Sequence, residues 1–313
     1  MQEIEINSLL EKRKIHGVFF DAVKPKANVI LVHGMAEYAL RYLDFINFLV
    51  KNDFNVFAVD HLGHGMQVSK VEGARLGVVS KDSFDKNVEQ IYALNLYIQQ
   101  QNNLPIYIFG HSMGSFISQA YYQRHSETIS GLILCGSGFN NFNYRLGYFL
   151  TSIMSIFYKG NKGYKISRFL VNSANHTFNK GISKKEYNNS SARWISYSKE
   201  NIKEYEDDKF TGFDCSFNFY YALFHGQQNI WKKRNRNKIT HKVPMYLIAG
   251  ADDPVGDYSK GIDKLYNFYN VFQPNLVTKT IYPHARHEIL NEDIKEEVKK
   301  DILTFLNSLV DKK

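Results

Sequence analysis

Six short apolar runs, each followed at once by a residue that favours a turn, constrain this chain more than any other feature. They are Val29–Val32 before His33-Gly34, Val56–Val59 before Asp60, Ile106–Phe109 before Gly110, Leu132–Leu134 before Cys135-Gly136, Met245–Ile248 before Ala249-Gly250, and Thr278–Tyr282 before Pro283. Runs this short, apolar on both faces, suit buried strands of a mainly parallel sheet. A hairpin is expected ahead of them, from Glu3–Asn7 and Lys14–Phe20. Helical spacing lies between the runs: Phe84, Val88, Ile91, Leu94 and Ile98, then Phe116, Ile117, Ala120 and Tyr121. A last helix is marked by Ile294, Val298, Ile302, Phe305 and Leu309, with Glu292 and Asp293 suited to the positive end of its dipole. Strands alternating with helices predict a doubly wound α/β core, with a site at the carboxyl ends of the strands.

One interval breaks the alternation. Roughly a hundred aromatic-rich, helix-like residues separate Cys135 from Met245, too many for a connecting loop. The expected organisation is therefore a first core segment at 1–137, an inserted cap at 138–243 and a second core segment at 244–313. A chain of 313 residues, 44% hydrophobic, suits one large domain with such an elaboration. The early apolar positions are interrupted by Glu3, Glu5, Glu11, Lys12 and Arg13, which does not read as a signal peptide. No stretch approaches the roughly 18 apolar residues of a membrane span. The two cysteines, Cys135 and Cys215, form no disulfide or metal framework and fit a reducing compartment. A soluble cytoplasmic protein is expected.

Gly110-His111-Ser112-Met113-Gly114 is a G-x-S-x-G pentapeptide. Such a pattern arises by chance in roughly one chain of this length in ten, but here a strand runs into it and a helix runs out. That setting holds a serine on a strained elbow, where flanking glycines remove side chains that would clash. A serine hydroxyl needs a base to take its proton and a carboxylate to orient the base. In chain order the acid and then the histidine should follow the serine. Two later strands lead into Gly250-Ala251-Asp252-Asp253-Pro254-Val255-Gly256-Asp257 and into Pro283-His284-Ala285-Arg286-His287-Glu288. On spacing alone the acid is Asp252, Asp253 or Asp257, and the base is His284 or His287. The oxyanion of an acyl-transfer intermediate needs two preorganised donors. The amide of Met113 supplies one, and the His33–Glu37 loop can supply the amide of Met35. His61 and His64 stand three apart without a visible third ligand, so a turn is the expected role, and His111 is expected to be structural.

These segments together resemble the monoglyceride lipase and lysophospholipase branch of the α/β-hydrolases, the serine aminopeptidase S33-like group. His33-Gly34-Met35-Ala36-Glu37 with Arg41-Tyr42 is similar to its HGxxE…RY segment, and Asp60–Gly65 to its D-x-x-GHG turn. Gly110–Ser115 resembles the GHSMGS elbow, Gly250–Gly256 the GxxDPVG acid loop and Ala285–Glu292 the ARHEILNE base segment. The resemblance implies an α/β-hydrolase fold, a mainly parallel sheet with helices on both faces and an inserted helical cap. Residue by residue it implies Ser112 as nucleophile, Asp253 as acid and His287 as base, with Met35 and Met113 as oxyanion donors. It implies a serine hydrolase that cleaves carboxyl esters of single-chain lipids, monoacylglycerol or lysophospholipid, through an acyl-enzyme, with neither cofactor nor metal. Small esters, thioesters or peptides on the same triad, or a receptor-like ligand-binding role, are the alternatives. The segment from 138 to about 243 matches the family weakly.

From Thr128 to Lys185 there is no acidic residue, while Arg145, Lys159, Lys162, Lys165, Arg168, Lys180, Lys184 and Lys185 are basic. Within it Leu146, Leu150, Ile153 and Phe157 share one helical face, and Arg145, Ser152, Ser155 and Lys159 the other. The expected arrangement packs that apolar face onto the core or around an acyl chain. The competing one rests it on an anionic membrane surface. The basic run Trp231–Lys238 is expected to be a solvated loop, and the net charge of +8 shows none of the wide patterning that nucleic-acid binding needs.

Overall fold

The computed structural model describes residues 1–157 and 164–310. Its strands are β1 (Gln2–Asn7), β2 (Lys14–Phe20), β3 (Ala27–Val32), β4 (Phe54–Val59), β5 (Ile106–His111), β6 (Gly131–Cys135), β7 (Met245–Gly250) and β8 (Val277–Tyr282). They form one sheet in the order β1-β2-β4-β3-β5-β6-β7-β8. β1 and β2 pair as the expected hairpin, and β2 joins β4 antiparallel. From β4 to β8 every pairing is parallel. Each of the six apolar runs lies within one of these parallel strands. β8, at the edge, exposes Thr278 and Lys279, which explains why its run is the most polar.

The helices in chain order are α1 (Leu43–Lys51), α2 (Gly65–Ser69), α3 (Ser83–Gln101), α4 (Met113–His125), α5 (Phe142–Phe157), α6 (Tyr164–Phe178), α7 (Lys199–Asp207), α8 (Phe217–Ile230), α9 (Lys233–Arg236), α10 (Lys260–Asn270) and α11 (Lys295–Val310). Alternation along β3 sends Val29 and Leu31 to a core shared with α1 and α11, and Ile30 and Val32 to one shared with α3, α4, α8 and α10. Burying each such side chain contributes roughly 1.5–3 kcal/mol. The sheet is thus covered on both faces, as parallel strands require.

Helices α5 to α9 all fall between β6 and β7, in the interval expected to be inserted. α8 packs against α3 and α4, and α5 lies on α8. The facing of α5 differs from expectation. Leu146, Ile153 and Phe157 are 41%, 42% and 76% exposed, and Leu150 is only half-buried. The seam with α8 is made instead by small and polar residues. A side chain at Gly147 would meet the Phe224 ring at 2.5 Å, Thr151 is fully buried, and the Ser152 hydroxyl hydrogen-bonds His225 Nε2 at 3.0 Å. Close approach through Gly147 fixes which face points inward, and the apolar stripe is left outside. Lys159 and Lys162 lie outside the described residues, as does the side chain of Lys165.

Two smaller expectations also change. The Trp231–Lys238 run is not simply a solvated loop: it forms α9, with Trp231 and Arg236 buried. Arg236 donates to the Phe268 carbonyl at 2.6 Å and lies over the rings of Phe268 and Phe272. Glu292 precedes α11, yet its carboxylate turns away to accept from the amides of Arg286 and Tyr197 and the hydroxyl of Ser196. Gly147→Val should force Phe224 aside and lower stability by about 1–3 kcal/mol, read as a lower midpoint in urea, while leaving far-ultraviolet helicity intact.

Candidate active site

β5 ends at His111 and α4 begins at Met113, so Ser112 alone makes the turn, with φ 52° and ψ −121°. A non-glycine residue there is strained and persists only where its surroundings over-determine it. The Ser112 amide donates to the Cys135 carbonyl at 2.9 Å. On either side, a Cβ at Gly110 would lie 2.4 Å from Ser118 Oγ, and one at Gly114 would lie 2.1 Å from the Val32 carbonyl oxygen. Only glycine lets α4 start this close to β3.

His287 and Asp253 follow β8 and β7. His287 Nε2 lies 2.8 Å from Ser112 Oγ, and Nδ1 lies 3.0 Å from Asp253 Oδ2. A carboxylate only accepts, so Nδ1 carries the proton and Nε2 is left to accept from the serine hydroxyl. Asp253 is fully buried, and its Oδ1 takes the Val255 amide at 2.8 Å. The other candidates lie elsewhere. Asp252 accepts from the Tyr197 hydroxyl, Asp257 sits 3.9 Å from Lys264, and exposed His284 meets the edge of the Tyr197 ring.

The His33–Glu37 loop runs directly past the elbow: a Cβ at Gly34 would be 3.1 Å from Ser112 Cβ. Met113 opens α4, where a helical amide has no partner within the helix. The histidines of the Asp60–Gly65 turn do more than form a turn. His64 Nε2 accepts the Ala36 amide at 3.1 Å, and His61 Nε2 pairs with the His33 carbonyl at 3.0 Å. Asp60 accepts the amides of Ala39 and Met66. Burial, reinforced by His33, pulls the imidazoles of both His61 and His64 down, His64 to about 3, so both stay neutral, His64 accepting at Nε2 and His61 donating from Nε2. This turn therefore sets the path of the loop that carries Met35.

Spacing gave no hint of the ionic cluster behind the site. Arg41 holds Glu288 through two bonds of 2.6 and 2.8 Å and donates to Glu37 at 3.2 Å. Asn201 of α7 accepts from Arg41 and donates to Glu288. Glu37 also accepts from the Tyr42 hydroxyl at 2.6 Å. Burial alone would raise both carboxyls. His111 and then Arg41 overcome this at Glu37, and Arg41 does so at Glu288, so both are held below the ordinary carboxylate range. The loop after β8 that carries His287 is joined to residues 193–196 in the same way. The Glu288 amide donates to the Ile195 carbonyl, Arg286 donates to the carbonyls of Arg193 and Ser196, and the Trp194 ring lies 5.1 Å from that of His287.

Ser112 opens into a cavity of about 160 Å³ lined mainly by apolar groups, among them Phe116, Tyr144, Phe178, Leu223, Phe224 and Val255. Neither Leu150 nor Ile153 lines it. A second cavity of about 190 Å³ meets it at Met35, Asn175, Trp194 and Tyr220, and is bordered by Glu206 and Thr211.

The sheet order, the strand–turn–helix passage at Ser112 and the helices between β6 and β7 define an α/β-hydrolase. Within that class the chain belongs to the family described as Serine aminopeptidase, S33, which matches residues 23–294. A monoglyceride lipase of Rattus norvegicus is 34% identical over 110 residues, covering 35% of this chain and 34% of its own length. A monoacylglycerol lipase of Mycolicibacterium smegmatis is 29% identical over 128 residues, 41% of this chain and 44% of its own length. The chain thus spans between a third and a half of the length of these curated relatives. A thermostable carboxyl esterase of Bacillus coagulans, solved with glycerol, has a TM-score of 0.85 at 28% identity over 99% of this chain and 98% of that one.

Arg41→Met would leave buried Glu288 without its cation and Glu37 with His111 alone, and should cost about 3–5 kcal/mol of unfolding free energy at neutral pH. Because both carboxyls are depressed in the folded protein, their contribution is complete above the ordinary value of 4.5 and fades as pH falls through the native values. The difference between wild type and Arg41→Met in urea unfolding should accordingly shrink below pH 4.5.

Proposed function

We propose that this protein is a carboxylic ester hydrolase acting on single-chain lipids, with Ser112, His287 and Asp253 as its catalytic set. The unbroken line from Asp253 through His287 to Ser112 Oγ, at 3.0 and 2.8 Å, carries the reading. His287 Nε2 takes the serine proton as Oγ bonds to the ester carbon, and Asp253 stabilises the imidazolium. The oxyanion is held by the amides of Met35 and Met113. The tetrahedral species collapses, the alcohol leaves with the proton from His287, and an acyl-enzyme remains. Water then adds to the acyl carbon, giving its proton to His287. Collapse releases the acid and returns the proton to Ser112.

The apolar cavity supports an acyl chain as the bound group, and the curated monoglyceride lipases support the same substrate class. The second cavity suits a neutral polyol as leaving group, since the Glu206 carboxylate on its border disfavours an anionic head group. Monoacylglycerol therefore ranks above anionic lysophospholipid. We also read 138–243 as the inserted unit, with α8 as the crossover helix between β6 and β7. A second partner is supported by the outward stripe of α5, where Phe142, Phe149 and Ile156 are exposed within an acid-free stretch: peripheral contact with an anionic membrane surface. Among the described residues no helix is long and apolar enough to cross a membrane.

Ser112→Ala and His287→Ala should reduce ester hydrolysis to near background, and Asp253→Asn should cost far more than Asp252→Asn. Fluorophosphonate labelling should disappear in Ser112→Ala, and labelling that persisted would reject the assignment. Each methylene buried contributes about 0.8 kcal/mol, so four more should raise kcat/KM by roughly two orders of magnitude if the gain is realised in the transition state. Leu223→Asp, in the cavity wall, should erase that preference while sparing acetate esters. A rate that falls steadily from acetate upward would reject the lipid reading. Sedimentation with anionic vesicles should be lost in the double variant Phe149→Asp, Ile156→Asp and weakened by salt.

A further inference from the structure

Glu37, Arg41 and Glu288 bring two buried carboxylates against one guanidinium, leaving an excess negative charge beside the histidine base. His111, the residue before Ser112, is buried between this cluster and His287, and hydrogen-bond bookkeeping fixes its state. The Tyr42 hydroxyl has two short contacts, 2.6 Å to Glu37 Oε1 and 2.7 Å to His111 Nδ1. A carboxylate has no proton to give, so the tyrosine proton goes to Glu37, and His111 Nδ1 must donate to the tyrosine oxygen. On the other side of the ring, His111 Nε2 lies 3.3 Å from the backbone carbonyl oxygen of His287, which can only accept. Both ring nitrogens therefore carry protons.

We propose that His111 is a standing imidazolium that balances the Glu37–Arg41–Glu288 cluster and, by its charge beside His287, keeps the base unprotonated down to lower pH than it would otherwise remain. This rests on the reading of His287 as the base of Ser112 and adds to it a positioning residue that never touches the substrate. Burial opposes the charge on His111, but the hydrogen bond and attraction from Glu37 outweigh it and raise its affinity for protons. The rings of His111 and His287 have centroids 4.8 Å apart. Their closeness depends on Gly136, where a Cβ would be 3.2 Å from His111 Nε2 and 3.1 Å from His287 Cε1.

The charged and titratable groups around the pair come from every neighbouring element. Glu37, Arg41 and Tyr42 face His111 from the segment after β3, and Glu288 from the loop after β8. Cys135 lies beside His111 in the β5–β6 register, its thiol pushed well up by burial and so neutral. Asp253 faces His287 from the loop after β7. With His111 charged, Glu37, Glu288, Arg41 and His111 sum to zero. With His111 neutral, a net negative charge would sit next to His287 and favour its protonation, the inactive form of a base.

The test has two arms on the full chain. Histidine ring ¹⁵N spectra, with His111 assigned by its loss in His111→Gln, should show both nitrogens protonated from pH 6 to pH 8. Glu37→Gln should convert that signal to a neutral tautomer within the same range and provides the assignment if His111→Gln does not fold. In the kinetic arm, His111→Gln should move the acid limb of the kcat/KM profile up by about one pH unit, while the plateau at higher pH changes much less. A merely structural role would scale the whole profile without moving the limb. A neutral His111 at pH 7, or a limb that stays in place or moves down, would overturn the proposal. If the wild type hydrolyses no ester, the functional reading fails, and the spectra still decide the state of His111.

Discussion

The bidentate pair between Arg41 and Glu288 joins three parts of the chain that are far apart in sequence. Arg41 follows the loop that carries Met35, Glu288 directly follows His287, and Asn201 at the same junction belongs to α7, between β6 and β7. Taking these charges out of water is costly, and such a pair is weak evidence for net stability. Its effect here is geometric. With Glu288 held at both oxygens and by its backbone amide, the loop that carries His287 has one position relative to the β3 loop. The hydrogen bond from Ser112 to His287 depends on that position being kept.

The elbow imposes a second constraint. A φ of 52° at Ser112 is tolerable only because a strand and a helix hold it from both sides. The parallel sheet supplies both, since β3 and β6 flank β5 and present the Val32 and Cys135 carbonyls to the turn. Strain at Ser112 and the buried sheet are thus parts of one arrangement. The neutral histidines of the Asp60–Gly65 turn extend it to the third loop by accepting from Ala36 and bonding to the His33 backbone.

Much of this was legible in the amino-acid order because strands and turns are local. The six apolar runs locate the six parallel strands, and the glycines around Ser112 mark the close approaches. Spacing alone could not separate Asp252, Asp253 and Asp257, or His284 from His287, since each set lies in one loop and the facing of its members is set by contacts elsewhere in the chain. The pairing within the ionic cluster was invisible for the same reason: Glu37 and Glu288 are 251 positions apart, and although each lies in a motif, nothing in either motif says that they share Arg41. On α5 the apolar periodicity was read correctly, but its direction was not. Hydrophobicity could not report that Gly147 and Thr151 would make the inner seam, because a close helix contact selects small residues over apolar ones.

The inserted segment is fastened unevenly. Residues 190–201 are bonded to the base loop at Glu288, Arg286 and Glu292, and Trp194 stands against the His287 ring. Helix α5 is held by α8 through a glycine contact and a few hydroxyls, while the cavity wall draws on Tyr144, Phe178 and Phe224. Changes in residues 190–201 bear directly on the position of His287; changes in α5 do not. Such a division leaves one stretch of the cavity wall, around Tyr144, able to vary without disturbing the loop that carries His287.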